Sequence, residues 1–248
     1  MQYYQHDKYP IEFVLSENID KHFAPHNHVK HYVISMVMQE VATVCLENRE
    51  VACHRGDVFI IPPYTVHSVR QTKDTKLLSM CIGTTFIEEA TLEAAEVIVQ
   101  DLLRDAVERG IIGNEQSEKL LASLRTVYRL RDQGRREMDV GIKALTDKIT
   151  SHPEQNLPIE ALAAEIYVSK YYLIRKCKNC IGMTPHQFCI QNRIRKSQGL
   201  LDAERTVGEI SAEMGFYDQS HFNKAFQKIV GISPSEYIHS KSIMQQIT

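Results

Sequence analysis

The stretch Thr206–Tyr237, TVGEISAEMGFYDQSHFNKAFQKIVGISPSEY, decides how the rest of the chain is read. Val207, Ile210, Ser211 and Met214 recur on one helical face, and Gly215-Phe216 ends the run. A glycine just past the last periodic residue is the usual helix stop, because it tolerates the left-handed conformation. Asp218 then offers an N-cap carboxylate, and the spacing predicts a second helix from Gln219 to about Ile229. Its apolar side is Phe222, Ala225, Phe226 and Ile229, which leaves Gln219, Ser220, His221, Asn223 and Lys224 on a polar outer face. Helix, glycine turn and polar-faced second helix is the helix-turn-helix layout, whose second helix lies in a DNA major groove. The bland alternative is a helical hairpin that binds nothing.

A less regular copy of this pattern lies upstream. Ile159 to Ile166 reads as a helix with Leu162 and Ile166 buried, and a break at Tyr167-Val168 leads to Ser169, a good N-cap. The helix that follows runs to about Asn179, with Leu173 and Cys177 inward and Lys170, Tyr171, Arg175, Lys176 and Lys178 on a polar, basic side. An aromatic among cations suits a groove, since Tyr packs on a sugar or a thymine methyl while Arg takes guanine. A solvated helix face is the competing reading of those charges. Between the two units the pattern predicts a helix over about Pro185 to Leu201. Sixteen or so residues span roughly 24 Å at helical rise, a stiff spacer between two reading helices. Arg193, Arg195 and Lys196 on it are expected to neutralise phosphates. Cys177, Cys180, His186 and Cys189 raise a zinc reading, but Cys177 falls at a core position, where a thiol acts as a small hydrophobe.

The stretch 206–237 closely resembles the C-terminal signature of the AraC/XylS family of bacterial transcription regulators. The resemblance rests on Ile210, Gly215-Phe216, Asp218, Ser220, Phe222, Lys224, Phe226, Gly231, Ser233-Pro234 and Tyr237. It implies an all-α C-terminal domain over 139–240 with two helix-turn-helix units, and double-stranded promoter or operator DNA as the partner. On that basis the DNA-binding residues are Ser169, Lys170, Tyr171, Ile174, Arg175 and Lys178 in the first unit. Those of the second are Gln219, Ser220, His221, Asn223 and Lys224. A homodimer and contact with RNA polymerase are further implications.

Length and charge agree with that layout. The 248 residues suffice for two domains with their own cores. Residues 1–139 carry 16 Lys+Arg against 21 Asp+Glu, a balance of −5, and residues 140–248 carry 13 against 10, a balance of +3. An acidic front half and a mildly basic back half fit a regulatory domain joined to a nucleic-acid-binding one. No apolar run approaches the roughly 20 residues that a membrane span needs. The start, MQYYQHDKYPIEF, lacks the basic end and apolar stretch of a signal peptide, so a cytoplasmic protein with reduced cysteines is expected.

The front of the chain, about 1–84, is dominated by short runs rich in Val and Ile: Tyr32–Met38, Val41–Glu47, Val51–His54, Asp57–Ile61 and Lys76–Ile82. Their close spacing predicts an all-β sandwich or barrel. His26-Asn27-His28, followed by Gly56, Pro62 and His67, looks like the two cupin motifs, and AraC-type regulators commonly carry a cupin-like effector domain. The resemblance implies that His26, His28 and His67 converge inside the barrel, where three imidazoles suit a divalent transition metal such as Zn, Ni, Cu or Fe. Tyr32 stands where metal-binding cupins have glutamate, and Gln39 and Tyr64 replace glycines. The other reading makes these histidines the mouth of a pocket for a small organic effector, with Tyr32, Ile34 and Met36 lining its wall. A metal-dependent cupin enzyme with a DNA-binding tail is the alternative function.

From Thr85 the period becomes helical. Leu92, Ala95, Val99, Leu102 and Ala106 form a short coiled-coil-like seam, and a second helix is predicted from about Glu115 to Arg131. The resemblance makes 85–138 a dimerisation segment, ending in the charged linker Arg131–Glu137. The alternative is that both helices pack on the outer wall of the barrel.

Overall fold

In the computed structural model, residues 1–5, 8–23, 25–46, 49–133, 139–201 and 205–245 are described. Most of the predicted linker, 134–138, lies outside the described residues. The chain divides into two units, Met1–Arg135 and Arg136–Thr248.

Two antiparallel sheets build the first unit. One runs β1(Gln2–Gln5), β2(Ile11–Ser16), β9(Lys76–Gly83), β4(His31–Gln39) and β7(Val58–Ile61) in spatial order. The other runs β3(Lys21–His22), β8(His67–Gln71), β5(Val41–Leu46) and β6(Arg49–His54). Three helices follow: α1(Thr84–Glu89), α2(Leu92–Glu108) and α3(Asn114–Asp132).

Strand β4 is buried on both faces, which is why its sequence from Tyr32 to Met38 is apolar at every position but Ser35 and does not alternate. Tyr32, Ile34 and Met36 lie level with Ile82, Met80 and Leu78 of β9. These six pack against Ala95, Val99, Leu103 and Ala106 of α2 and Leu120, Leu124 and Val127 of α3. Val37 and Leu77 belong to a separate core with Ala42, Val44, Cys53 and Val69 of the second sheet. The five-stranded sheet is therefore covered by helices on one side and by the other sheet on its opposite side.

The seam of α2 is part of this arrangement. Ala95, Val99 and Ala106 face the chain's own barrel, with Leu103 buried beside them and Leu92 and Leu102 half-buried at the edge. The apolar face expected to pair two copies is thus covered by the same chain.

The second unit is all helix: α4(Val140–Ser151), α5(Ile159–Glu165), α6(Lys170–Ile181), α7(Pro185–Leu200), α8(Val207–Glu213), α9(Gln219–Val230) and α10(Pro234–Gln245). One plan is used twice. Both α5 and α8 end with the same paired backbone bonds, Tyr167 N–H to Ala164 and Val168 N–H to Ala163, then Gly215 N–H to Ala212 and Phe216 N–H to Ser211. Tyr167 (φ +57°) and Gly215 (φ +69°) occupy the left-handed position of those two endings. The second helix of each pair ends at a left-handed glycine, Gly182 or Gly231. Thr184 with Gln187, and Ser233 with Glu236, then open α7 and α10 by reciprocal capping bonds. A run of edge-on and tilted rings, Phe216–Phe222–Phe226–Tyr237, with centroids 5.2, 5.6 and 5.6 Å apart, fills the second half of the core.

Candidate nucleic-acid interface and effector site

The second helix of each pair, α6 and α9, is set by a side-chain cap. Ser169 Oγ accepts from the Tyr172 N–H at 3.2 Å, and Asp218 Oδ1 from the His221 N–H at 2.6 Å. From these caps α6 buries Leu173, Cys177 and Ile181, and α9 buries Phe222, Phe226 and Val230. The opposite faces stay in water. Ser169, Lys170, Tyr171, Arg175 and Lys178 are exposed, as are Gln219, Ser220, His221 and Lys224; Ile174 and Asn223 are half-buried. Counted from the caps, Tyr171, Ile174 and Arg175 of α6 match Ser220, Asn223 and Lys224 of α9. Asn223 Oδ1 is shut away from solvent without a hydrogen-bond partner. A buried orphan acceptor costs about 1–3 kcal/mol.

The basic residues divide between surface and scaffold. Lys170 bonds Glu160 at 3.2 Å and lies 5.5 Å from the Tyr171 ring, whereas Arg175 lies 5.8 Å from the Tyr172 ring. Lys176 is tied 2.7 Å from Asp139, the N-cap of α4, and holds that carboxyl below its usual range. The three cations of α7, expected at phosphates, each have a partner within the chain. Arg193 donates to the carbonyls of Pro153, Gln155 and Gly215, Lys196 pairs with Glu154 at 2.8 Å, and Arg195 donates to Gln198 at 3.0 Å. The loop after α4 supplies the partners of Arg193 and Lys196, whereas Arg195 bonds within its own helix.

Two tyrosines that periodicity passed over stand out. Tyr167 is 96% and Tyr217 93% exposed, one in the turn before each reading helix. The available signal was an aromatic just ahead of each N-cap, Ser169 and Asp218.

In the first unit, His26 and His67 face each other across an antiparallel bridge with N–H···O distances of 3.0 and 2.9 Å. Opposed residues carry their side chains on the same face, and His28, two residues on, returns to it. The three rings lie 4.3–5.2 Å apart by centroid, and a nitrogen from each lies within 4.8 Å of the others. His67 is buried, and its Nδ1 donates to the Thr65 carbonyl at 2.9 Å, because a carbonyl oxygen only accepts. That bond leaves Nε2 as the lone-pair nitrogen, the arrangement found behind metal-ligating histidines. The donor set fits a borderline transition metal and not a hard cation.

Tyr32, Ile34 and Met36, expected to line the effector pocket, do not share a face with this cluster. They lie under α2 and α3. The inter-sheet side of β4 carries Ser35 and Val37 instead, and Ser35 Oγ meets Ser79 Oγ of β9 at 2.8 Å. The cysteine set of the second unit does not assemble a ligand group, since among the described residues only the three histidines do so. Burial pushes the Cys177 thiol up to about 12, with Cys180 and Cys189 adding to the shift. A thiol so raised stays protonated and inert.

The family profile of an AraC-like ligand binding domain matches residues 9–133, and that of a helix-turn-helix domain matches residues 162–240. The HTH-type transcriptional regulator MtrA of Neisseria gonorrhoeae is 33% identical over 96 residues, which cover 38% of this chain and 31% of MtrA. The arabinose operon regulatory protein of Escherichia coli is 22% identical over 237 residues, covering 84% of this chain and 80% of that protein. Among solved structures, apo ToxT of Vibrio cholerae aligns with a TM-score of 0.62 at 14% identity, over 95% of this chain and 98% of ToxT. Another ToxT structure holds an unsaturated fatty acid. No helix among the described residues is long and apolar enough to cross a membrane.

Proposed function

Because the chain belongs to the AraC family of DNA-binding transcription regulators, with a ligand-binding domain ahead of its helix-turn-helix units, we propose that α6 and α9 read one operator together and that the β-domain tunes this reading. The observation that carries the proposal is the division of each reading helix into a buried apolar face and an exposed hydrogen-bonding one. Arg175 is assigned to guanine, Tyr171 and Ile174 to a sugar or thymine methyl, and Asn223 to adenine, with Lys170, Lys178 and Lys224 on phosphates or base acceptors. Ser169, Gln219, Ser220 and His221 complete the two contact surfaces. The members of this family are transcription regulators and not enzymes, which sets aside the catalytic alternative.

The effector site in this reading is centred on His26, His28 and His67. The nearness of their nitrogens supports a divalent transition metal there, bound through neutral imidazoles and poised by the Thr65 carbonyl behind His67. A small organic molecule seated against the same three rings is the second form of this reading, favoured by the fatty acid in ToxT. Either ligand acts only if it binds two arrangements of the regulator with different affinity. Pairing of two copies on adjacent sites belongs to the proposal; with the α2 seam covered, it would use outer faces such as that bearing Val97, which is 61% exposed. Contact with RNA polymerase would follow from promoter binding.

The test is a duplex enriched from a random pool by the wild-type protein, then titrated in gel shifts with Arg175→Ala and Lys224→Ala. Each variant should lose about 1–3 kcal/mol of specific binding while its circular dichroism stays unchanged. Unchanged affinity in both would refute the assigned faces. Elemental analysis and mass spectrometry of the purified protein, with His67→Ala as control, distinguish metal from organic effector.

A further inference from the structure

Arg193 ties the connection ahead of the first helix-turn-helix unit to the turn of the second. From the middle of α7 its Nε donates to the Pro153 carbonyl at 2.8 Å and its Nη2 to the Gln155 carbonyl at 3.1 Å. Both acceptors lie in the connection that leads from α4 into the first unit. Its Nη1 donates to the Gly215 carbonyl at 2.8 Å, inside the turn of the second unit. Three bonds from one planar, rigid fork fix direction as well as distance, which a single ammonium cannot do. The packing around this fork is close. A Cβ on Gly215 would stand 3.3 Å from the Glu154 carbonyl oxygen and 3.4 Å from the guanidinium carbon and Nη1 of Arg193. One turn further along α7, Lys196 ties the same connection through Glu154 at 2.8 Å.

We propose that Arg193 is a positioning residue that sets the phase between α6 and α9, and so fixes the spacing of the two base blocks that the protein reads on one duplex. The assignment rests on α6 and α9 being the reading helices. A helix of sixteen residues sets the distance between two units but leaves rotation about each junction open. The carbonyls of the α4–α5 connection and of the second turn, held by one guanidinium, limit that freedom. A pair of readers on a rigid frame binds with the second contact effectively intramolecular, and it tolerates only the spacing for which the frame is built.

Selection from a random duplex pool, with the full chain as wild type, Arg193→Lys and Gly215→Ala, tests this. The wild type should enrich two blocks at one spacing. Arg193→Lys should enrich the same blocks over several adjacent spacings, with affinity for the wild-type duplex lower by about tenfold and affinity for a duplex carrying one block within about twofold. Gly215→Ala, which crowds the fork without removing it, should broaden the spacing in the same direction. If both variants melt at lower temperature but keep the single wild-type spacing, Arg193 is merely structural and the proposal is overturned. If the wild type enriches no sequence, or one block only, the reading of α6 and α9 as paired readers fails instead.

Discussion

Replacing Tyr167 by glycine should stabilise the helical unit, and replacing Gly215 by alanine should destabilise it, although the two residues occupy the same place in the repeated plan. Tyr167 holds φ +57° with its side chain 96% exposed, so its left-handed backbone brings no packing in return. A left-handed conformation costs an L-residue about 1–2 kcal/mol, and the added freedom of glycine in the unfolded chain returns about 0.5–1 kcal/mol of that cost. Tyr167→Gly is therefore expected to gain about 0.5–1 kcal/mol. At Gly215 the same arithmetic runs backwards, with the contacts at 3.3 and 3.4 Å added to it. One weakened Arg193 hydrogen bond, worth about 0.5–1.5 kcal/mol, brings the expected loss to about 1–3 kcal/mol. In a domain of roughly 100 residues these energies correspond to a rise of about 2–5 °C and a fall of about 5–14 °C in Tm. Thermal and urea unfolding of the full chain, followed by circular dichroism at helical wavelengths, reads both. A Tyr167→Gly protein less stable than wild type, or a Gly215→Ala protein equal to it, would show that these turns are not governed by backbone strain.

Ile34→Ala and Met36→Ala should each cost about 2–5 kcal/mol by opening a cavity beneath α2 and α3, yet leave metal or effector uptake unchanged. A lost ligand with unaltered stability would return these side chains to the pocket wall. Acid should weaken the helical unit in a defined window. The hydrogen bond from Lys176 holds the Asp139 carboxyl below its usual value, and that from Lys196 does the same for Glu154. A depressed folded pKa means the stabilisation is present above the unfolded value of about 4 and disappears as pH falls through the lower folded value. Tm should stay level from neutral to about pH 5 and then decline, and Asp139→Asn with Glu154→Gln should shallow that decline. Both pairs are partly exposed, so high salt should reduce the difference between wild type and the double variant; an unchanged acid limb at low salt would rule the pairs out as its source.

What the sequence alone determined was local. The helices around Ser169, Thr184, Asp218 and Gly231 are specified by caps, left-handed glycines and apolar spacing that act within a few residues, so their limits and their polar faces can be read from the chain. Sequence motifs named the three histidines, but only pairing in the folded sheet set His26 opposite His67. Tertiary structure alone decided which way β4 faces, because a strand buried on both sides carries no alternation to read. It also decided where the α2 seam goes and what Arg193 does. An apolar stripe packs on whatever apolar surface is nearest, and a guanidinium bonds whichever carbonyls the fold brings within reach. Those neighbours come from distant parts of the chain, beyond the range of any local pattern.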